Sequence, residues 1–245
     1  MKKTPANSLS LAQAPESIFR IWNSRKTAEL EAATLFARLA TELFATRGPN
    51  DPVALLAEEA AADEHKHAEY CQAILEFSPK YLKPIIPRLN VELGPVTTSR
   101  TEKILYACVA MGCVTETLST ALLVAMRARA EEGLIRDTVH QILRDEVNHS
   151  RIGWAELARC AKSQDISWLS THIPGMITAA LVSDVAPMLS QNEVLTDLSR
   201  WGILAPSEAR EISAKAISEV ILPGLSLNGI FVSQEVPVIG LGRIC

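Results

Sequence analysis

Apolar residues recur at helical spacing along most of the chain, and no convincing strand-like alternation interrupts them. A first helix is predicted from Pro15 or Ser24 to Arg47, ending at Gly48-Pro49-Asn50, where glycine and proline both stop a helix. Asp51-Pro52 opens a second: an N-cap acid is followed by proline at the first helical position, and the pattern carries to about Phe77. Residues 78–99 hold Pro79, Pro84, Pro87 and Pro95 and read as a connection. Ser99-Arg100-Thr101-Glu102 is a capping box that starts a third helix, ending before Gly133, and a fourth runs from about Leu134 to Ala161. Two more helices are predicted near Ser167–Ser190 and Pro206–Leu225, and Val232–Ile244 is a tail or a short extended stretch.

The loop lengths carry topology. Tight turns join the first helix to the second and the third to the fourth, so each pair is antiparallel. The connection between the pairs, at roughly 3.3 Å per extended residue, can run the ~40 Å length of such a bundle. The expectation is an all-α fold: a four-helix bundle with one long crossover over residues 1–162, and a helical extension over 163–245 packed on it.

Composition agrees with helix, since aromatics are only 5% and glycines number 11 of 245 residues. A net charge of −4 with no basic run argues against nucleic acid as a partner. The five cysteines form no C-x-x-C pair, which fits reduced thiols in the cytoplasm and excludes a zinc ribbon or a rubredoxin-type iron site. Ile104 to Met126 is long enough to span a membrane, but it carries Glu116 near its middle, a costly group in lipid. A helix buried on all sides in a soluble bundle is the preferred reading, provided Glu116 has a partner there.

The partner is found in a repeated motif. Asp63-Glu64-His65-Lys66-His67 lies on the second helix and Asp145-Glu146-Val147-Asn148-His149 on the fourth, both D-E-x-x-H. A Glu and a His three residues apart share a helix face and can reach one metal. A carboxylate-bridged two-metal site needs one further Glu from each of the other helices. Glu116 supplies one, with small or apolar neighbours at helical spacing. Glu29 supplies the other, on a core stripe with Ala33, Phe36, Ala40 and Leu43, while Glu31 on a more polar stripe is the fallback.

Height along the bundle tests the set. Glu29 lies 19 residues before Gly48, and Glu64 and His67 lie 16 and 19 after it. Glu116 lies 17 before Gly133, and Glu146 and His149 lie 13 and 16 after it. All six therefore fall in roughly one layer at 1.5 Å rise per residue.

With Glu29 followed by Phe36-Ala37-Arg38-Leu39, and Ala61-Ala62-Asp63-Glu64 followed by His67-Ala68 and Cys71, the chain resembles the ferritin-like di-iron carboxylate superfamily, in particular bacterial ferritin-like domain proteins. The likeness covers about residues 24–160. It implies a metal pair bridged by Glu64 and Glu146, with Glu29 and Glu116 more terminal and His67 and His149 one per metal. It also implies that Asp63 and Asp145 hydrogen-bond the far nitrogen of a ligand histidine, the alternative for each being a surface acid. Four carboxylates and two imidazoles suit two iron ions (Fe2+/Fe3+) or manganese better than structural zinc.

Oxygen-activating members of the superfamily often carry a hydroxyl three or four residues after this glutamate. Thr120 is the catalytic candidate, with Ser119 beside it, and a hydrogen bond to the preceding turn is the competing role. Gly112 either leaves room beside the metals or lets helices pack closely. Tyr70 and Cys113 fit ordinary core roles. No phosphate loop, nucleophile elbow or dinucleotide fingerprint occurs, so electrons must come from an external donor or from the substrate.

The helices from Ser167 onward suggest a covered pocket. The expected function is therefore an oxidoreductase, a monooxygenase or oxidase with dioxygen as co-substrate, acting on a small molecule by hydroxylation, N-oxygenation or desaturation. Ferroxidase, iron-handling or peroxide-scavenging activity is the alternative; a monomer or dimer is expected, with no membrane partner. Four of the 28 acids are thus assigned to the core, and two ferrous ions would bring the net charge of −4 to zero. Metal is expected to stabilise the fold.

Overall fold

A computed structural model describes residues 11, 13–88, 92–189, 198–232, 236–238 and 242–244. Helix α1 (Glu16–Arg47) ends where Gly48 takes φ 89°, a left-handed value that glycine adopts freely. Helix α2 (Pro52–Leu75) opens on Asp51, whose carboxylate accepts from the Val53 and Ala54 amides. Helix α3 (Arg100–Arg129) opens on Ser99, with both halves of the capping box in place. Its middle, Val109–Thr115, widens into a π-helical stretch that ends just before Glu116. Gly133 at φ 130° precedes α4 (Leu134–Ala161), which has the expected bounds.

Among the described residues the fold is all-α apart from one short strand pair. Helix α1 packs along α2, α3 along α4, and α2 against α4, with α1 also touching the start of α3. Beyond α4 come a 3₁₀ turn (Ser167–Thr171), α5 (Ile173–Asp184), the single turn α6 (Ala186–Leu189) and a 3₁₀ turn (Ser199–Trp201). Helix α7 (206–227) contains a second π-helical stretch, Ala216–Ile221. Helix α5 packs on α1 and on the π-helical part of α3, and α7 on the second half of α3. Strands β1 (Val236–Val238) and β2 (Gly242–Ile244) pair antiparallel, with Val236 opposite Ile244.

The helix expected over 167–190 is broken. Pro174 has no amide hydrogen and is tolerated only in a first turn, so the α-helix begins at Ile173 and the segment before it is 3₁₀. Ser190 lies outside the described residues. In α7 the π-helical turn precedes Pro223, where a missing donor and a ring clash disturb the α ladder. Helix α3 is long and apolar enough to cross a membrane, but 67% of its most apolar window is buried by the other helices.

Two apolar clusters form the core. One gathers Phe36, Leu39, Leu43, Ala57 and Ile152. The other gathers Phe19, Trp22, Ile74, Leu118, Leu123 and the C-terminal helices. On α1 and α2 the sequence interval between these clusters contains Glu29, Glu64 and His67, all buried.

Gly112 of α3 and Gly153 of α4 settle the role left open for Gly112. A Cβ on Gly153 would stand 2.4 Å from the Cys113 amide nitrogen, and one on Gly112 2.4 Å from the Gly153 nitrogen. Backbone meets backbone here, so the absent side chain serves close packing of the two helices. Gly153→Ala must push them apart, and a loss of about 3 kcal/mol is expected, read as a lowered urea midpoint at unchanged helix content.

Candidate metal centre

Six buried side chains converge from four helices. Glu29, Glu64, His67 and Glu146 form one group; Glu64, Glu116, Glu146 and His149 form a second. Within each group, one donor atom per residue lies within 4.8 Å of the others, and Glu64 and Glu146 belong to both. None of the six is more than 4% exposed. On α2 and α4 the i, i+3 spacing sets each Glu beside its His: His67 Nδ1 lies 3.2 Å from Glu64 Oε2, and His149 Nδ1 lies 3.0 Å from Glu146 Oε2. Glu64 Oε1 reaches across to His149 Nδ1 at 3.0 Å.

The acids before each glutamate cross over. His67 Nε2 meets Asp145 Oδ2 of α4 at 3.4 Å, as expected, whereas His149 Nε2 lies 3.6 Å from Asp63 Oδ2 of α2, beyond hydrogen-bond reach, and has no hydrogen-bond partner. Each histidine thus turns Nδ1 inward to the carboxylates and Nε2 outward to an acid of the other helix. Asp145 and Asp63 are tied in turn to Arg144 at 2.9 Å and Lys66 at 2.7 Å.

So many acids in a dry space perturb one another. Burial, reinforced by neighbouring glutamates, holds Glu29 and Glu116 well above the usual carboxylate range. Glu64 goes the other way: hydrogen bonds from His149 and His67 outweigh its burial and lower it. Burial disfavours charge on the histidines, but the adjacent carboxylates win and raise His67 to about 9 and His149 to about 11. Without metal, the centre is held together by shared protons.

The remaining candidates separate cleanly. Glu29 joins the cluster, whereas the carboxylate of Glu31 accepts from the Arg88 amide at 2.7 Å. Thr120 Oγ1 is buried without a hydrogen-bond partner and lies outside the lining of the cavity beside the cluster. Ser119 lines that cavity instead. Positions three and four residues after Glu116 fall on opposite flanks of it, at roughly 60° and 40°, and the cavity lies on the first flank. Tyr70 sits with its ring centroid 6.5 Å from that of His67, and Cys113 is fully buried.

Two residues beside the cluster were not anticipated. Arg25 donates from Nε to Glu29 Oε1 at 2.6 Å and from Nη2 to Ser119 Oγ at 3.0 Å, and its Nη2 stands 3.5 Å from Glu146 Oε1. Asp184, the last residue of α5, lines the same cavity of about 170 Å³, together with Glu29, Glu64, Glu116 and Glu146. Arg25 had a signal, since it lies four residues before Glu29 on the inward stripe. Buried acids and histidines in this arrangement can hold metal ions. No family model matches this chain, and no curated protein or solved structure matches it either.

Proposed function

We propose that the chain is a ferritin-like, carboxylate-bridged two-metal protein, and that with iron it serves as an oxygen-dependent oxidase or monooxygenase of a small organic substrate. The observation that carries this reading is the pair of overlapping four-donor groups with Glu64 and Glu146 in common. The donor set fits the metal. Glu29 and His67 would complete one position, Glu116 and His149 the other, with the shared glutamates between them. Four carboxylates and two imidazoles are the hard and borderline ligands that iron and manganese prefer. When bound, a pair of iron ions supplies the capacity to activate dioxygen.

The chain's own groups do the rest. Asp145 fixes the His67 ring with Nδ1 inward, and Asp63 sets a negative charge 3.6 Å from the outer nitrogen of His149. Arg25 holds Glu29 in place and donates to Ser119 Oγ, which leaves the Ser119 hydroxyl proton free to be given into the cavity. Ala28, Ala32, Leu35 and Met111 give that cavity an apolar wall that limits water beside the reacting atoms. An iron store or ferroxidase would leave an organic-sized cavity against the cluster without a purpose.

The test begins with anaerobic titration of the full chain with Fe(II). About two metals per chain are expected, with release of roughly two to four protons as the raised groups give way, and a melting temperature higher by about 5–10 °C at saturating metal. Admission of oxygen should then consume dioxygen faster in the presence of substrate. Fewer than one metal per chain retires the two-metal reading; two metals with no substrate-stimulated uptake retires the oxygenase.

A further inference from the structure

The cavity beside the cluster has an apolar body and a polar end. Ala28, Ala32, Ala179 and Ala180 narrow the body, and Arg25, Ser119 and Asp184 form the end. Arg25 is occupied there by Glu29 and Ser119. Asp184 is engaged only in part: Ser183 hydrogen-bonds its carboxylate, while its Oδ2 is buried and accepts no hydrogen bond. A buried carboxylate oxygen without a donor is a costly arrangement; Ser183 and Arg25 ease the charge of the group, but among the described residues no donor reaches Oδ2. Asp184 is also the one charged residue between Ile173 and Leu189, so the apolar helix α5 carries a single acid and delivers it to this wall.

Burial raises Asp184 to about 6, against a lowering pull from Arg25, so near neutral pH the group remains largely a carboxylate. A bound molecule that relieves it must bring an N–H donor and, best, a positive charge. The volume sets the size: a cavity of about 150 Å³ holds a benzene ring, and this one is about 170 Å³.

Resting on the two-metal reading above, we propose that the substrate is a small amine whose ammonium group donates to Asp184 Oδ2 while its hydrocarbon part fills the alanine-lined body against the cluster. A carboxylate in the same place would set its own charge against Asp184. A plain hydrocarbon would leave Asp184 Oδ2 without a donor. Nitrogen held as an ammonium has no lone pair to offer, so oxidation falls on a carbon of the bound amine and not on its nitrogen.

The full chain, loaded with Mn(II) and with its metal content measured on the same sample, is titrated calorimetrically with benzylamine, benzyl alcohol and benzoate. Benzylamine is expected to bind at least about tenfold more tightly than either benzyl alcohol or benzoate. Asp184→Asn should remove that preference with metal content and the affinity for benzyl alcohol unchanged. Ala180→Leu, which fills the body, should weaken both ligands while Asp184 stays in place. Equal binding of amine and alcohol, a preference for benzoate, or an amine preference that survives Asp184→Asn overturns the proposal. The metal measurement separates the two readings. Amine preference in chains that hold no metal retires the metal centre and keeps the Asp184 anchor, whereas two metals without amine preference retires the anchor alone.

Discussion

Glu64→Gln is expected to abolish the metal pair, taking the content of the reconstituted chain from about two ions to fewer than one. Each oxygen of Glu64 faces a different histidine: Oε2 lies 3.2 Å from His67 Nδ1 and Oε1 lies 3.0 Å from His149 Nδ1. A carboxamide keeps the shape, yet it replaces one acceptor oxygen with an NH₂ group that turns hydrogens toward one of the two positions. It also removes a negative charge that, in the two-metal reading, both ions would share. Loss of even an outer partner of a metal ligand typically costs about 10–100-fold in affinity, so loss of a shared ligand should exceed about 100-fold. Glu29→Gln touches one group only and should leave close to one ion per chain. Glu31→Gln, on a carboxylate engaged by Arg88, should leave two. Elemental analysis of the three variants, with helix content checked by circular dichroism, reads the series directly.

The second large effect concerns stability. Glu156 of α4 is fully buried and accepts two hydrogen bonds from Arg47, at 2.8 and 2.5 Å, and two from Arg159, at 3.0 and 2.7 Å. It pins the last turn of α1 to α4 about 10 Å along the helix from His149. Breaking a buried pair by removing one partner costs about 3–5 kcal/mol. Arg159 is half exposed and Arg47 a fifth, so the stranded cations can turn to water and the lower end applies. Glu156→Ala should therefore lower stability by about 3 kcal/mol, or the melting temperature by roughly 6–12 °C.

A pH series identifies the cause. Hydrogen bonds from Arg47 and Arg159 outweigh burial and hold Glu156 down to about 2, from an ordinary value of 4.5. A depressed carboxyl contributes its stability above the unfolded value and loses it as pH falls through the folded one. The gap between the wild-type chain and Glu156→Gln should therefore be constant above about pH 5 and close progressively from pH 4.5 toward 2 in urea melts. A gap that persists at pH 2 would mean packing, not charge, is responsible.

The frame of the bundle was legible because it rests on local chemistry. The Asp51 cap, the Ser99–Glu102 box and the glycines at 48 and 133 each act within a few residues, so the chain states them openly. The six clustered residues were legible for a different reason, a motif written twice at matching heights. What escaped was set by distance in the chain. Ser119 lies on the cavity and Thr120 does not because α1 and α5 cover one flank of Glu116, and a single helix does not reveal its neighbours. The π-helical stretch before Glu116 has a visible trace only afterwards, when the hydroxyls of Thr115 and Thr117 are found on carbonyls five residues back. Asp184 was within reach. A solitary acid in a long uncharged run was the clue that identified Glu116, and the run from Ile173 to Leu189 offers the same clue.

Helices α2 and α4 present the same five-residue motif to each other, yet Arg25 favours one side: it stands 2.6 Å from Glu29 of the first group and 3.5 Å from Glu146, which both groups share. Its closest pairing is with Glu29, whereas the largest influences on Glu116 among the described residues are burial and other acids. A fixed positive charge 2.6 Å from one carboxylate weakens the pull of that half for a divalent ion. In the two-metal reading the positions are therefore unequal from the start. The expected order of filling is the half with Glu116 and His149 first, with release in the reverse order, and stepwise titration with Mn(II) reads it. Ordered occupancy gives one tightly kept ion and one exchangeable ion, and with them the means to hold two different elements in a single site.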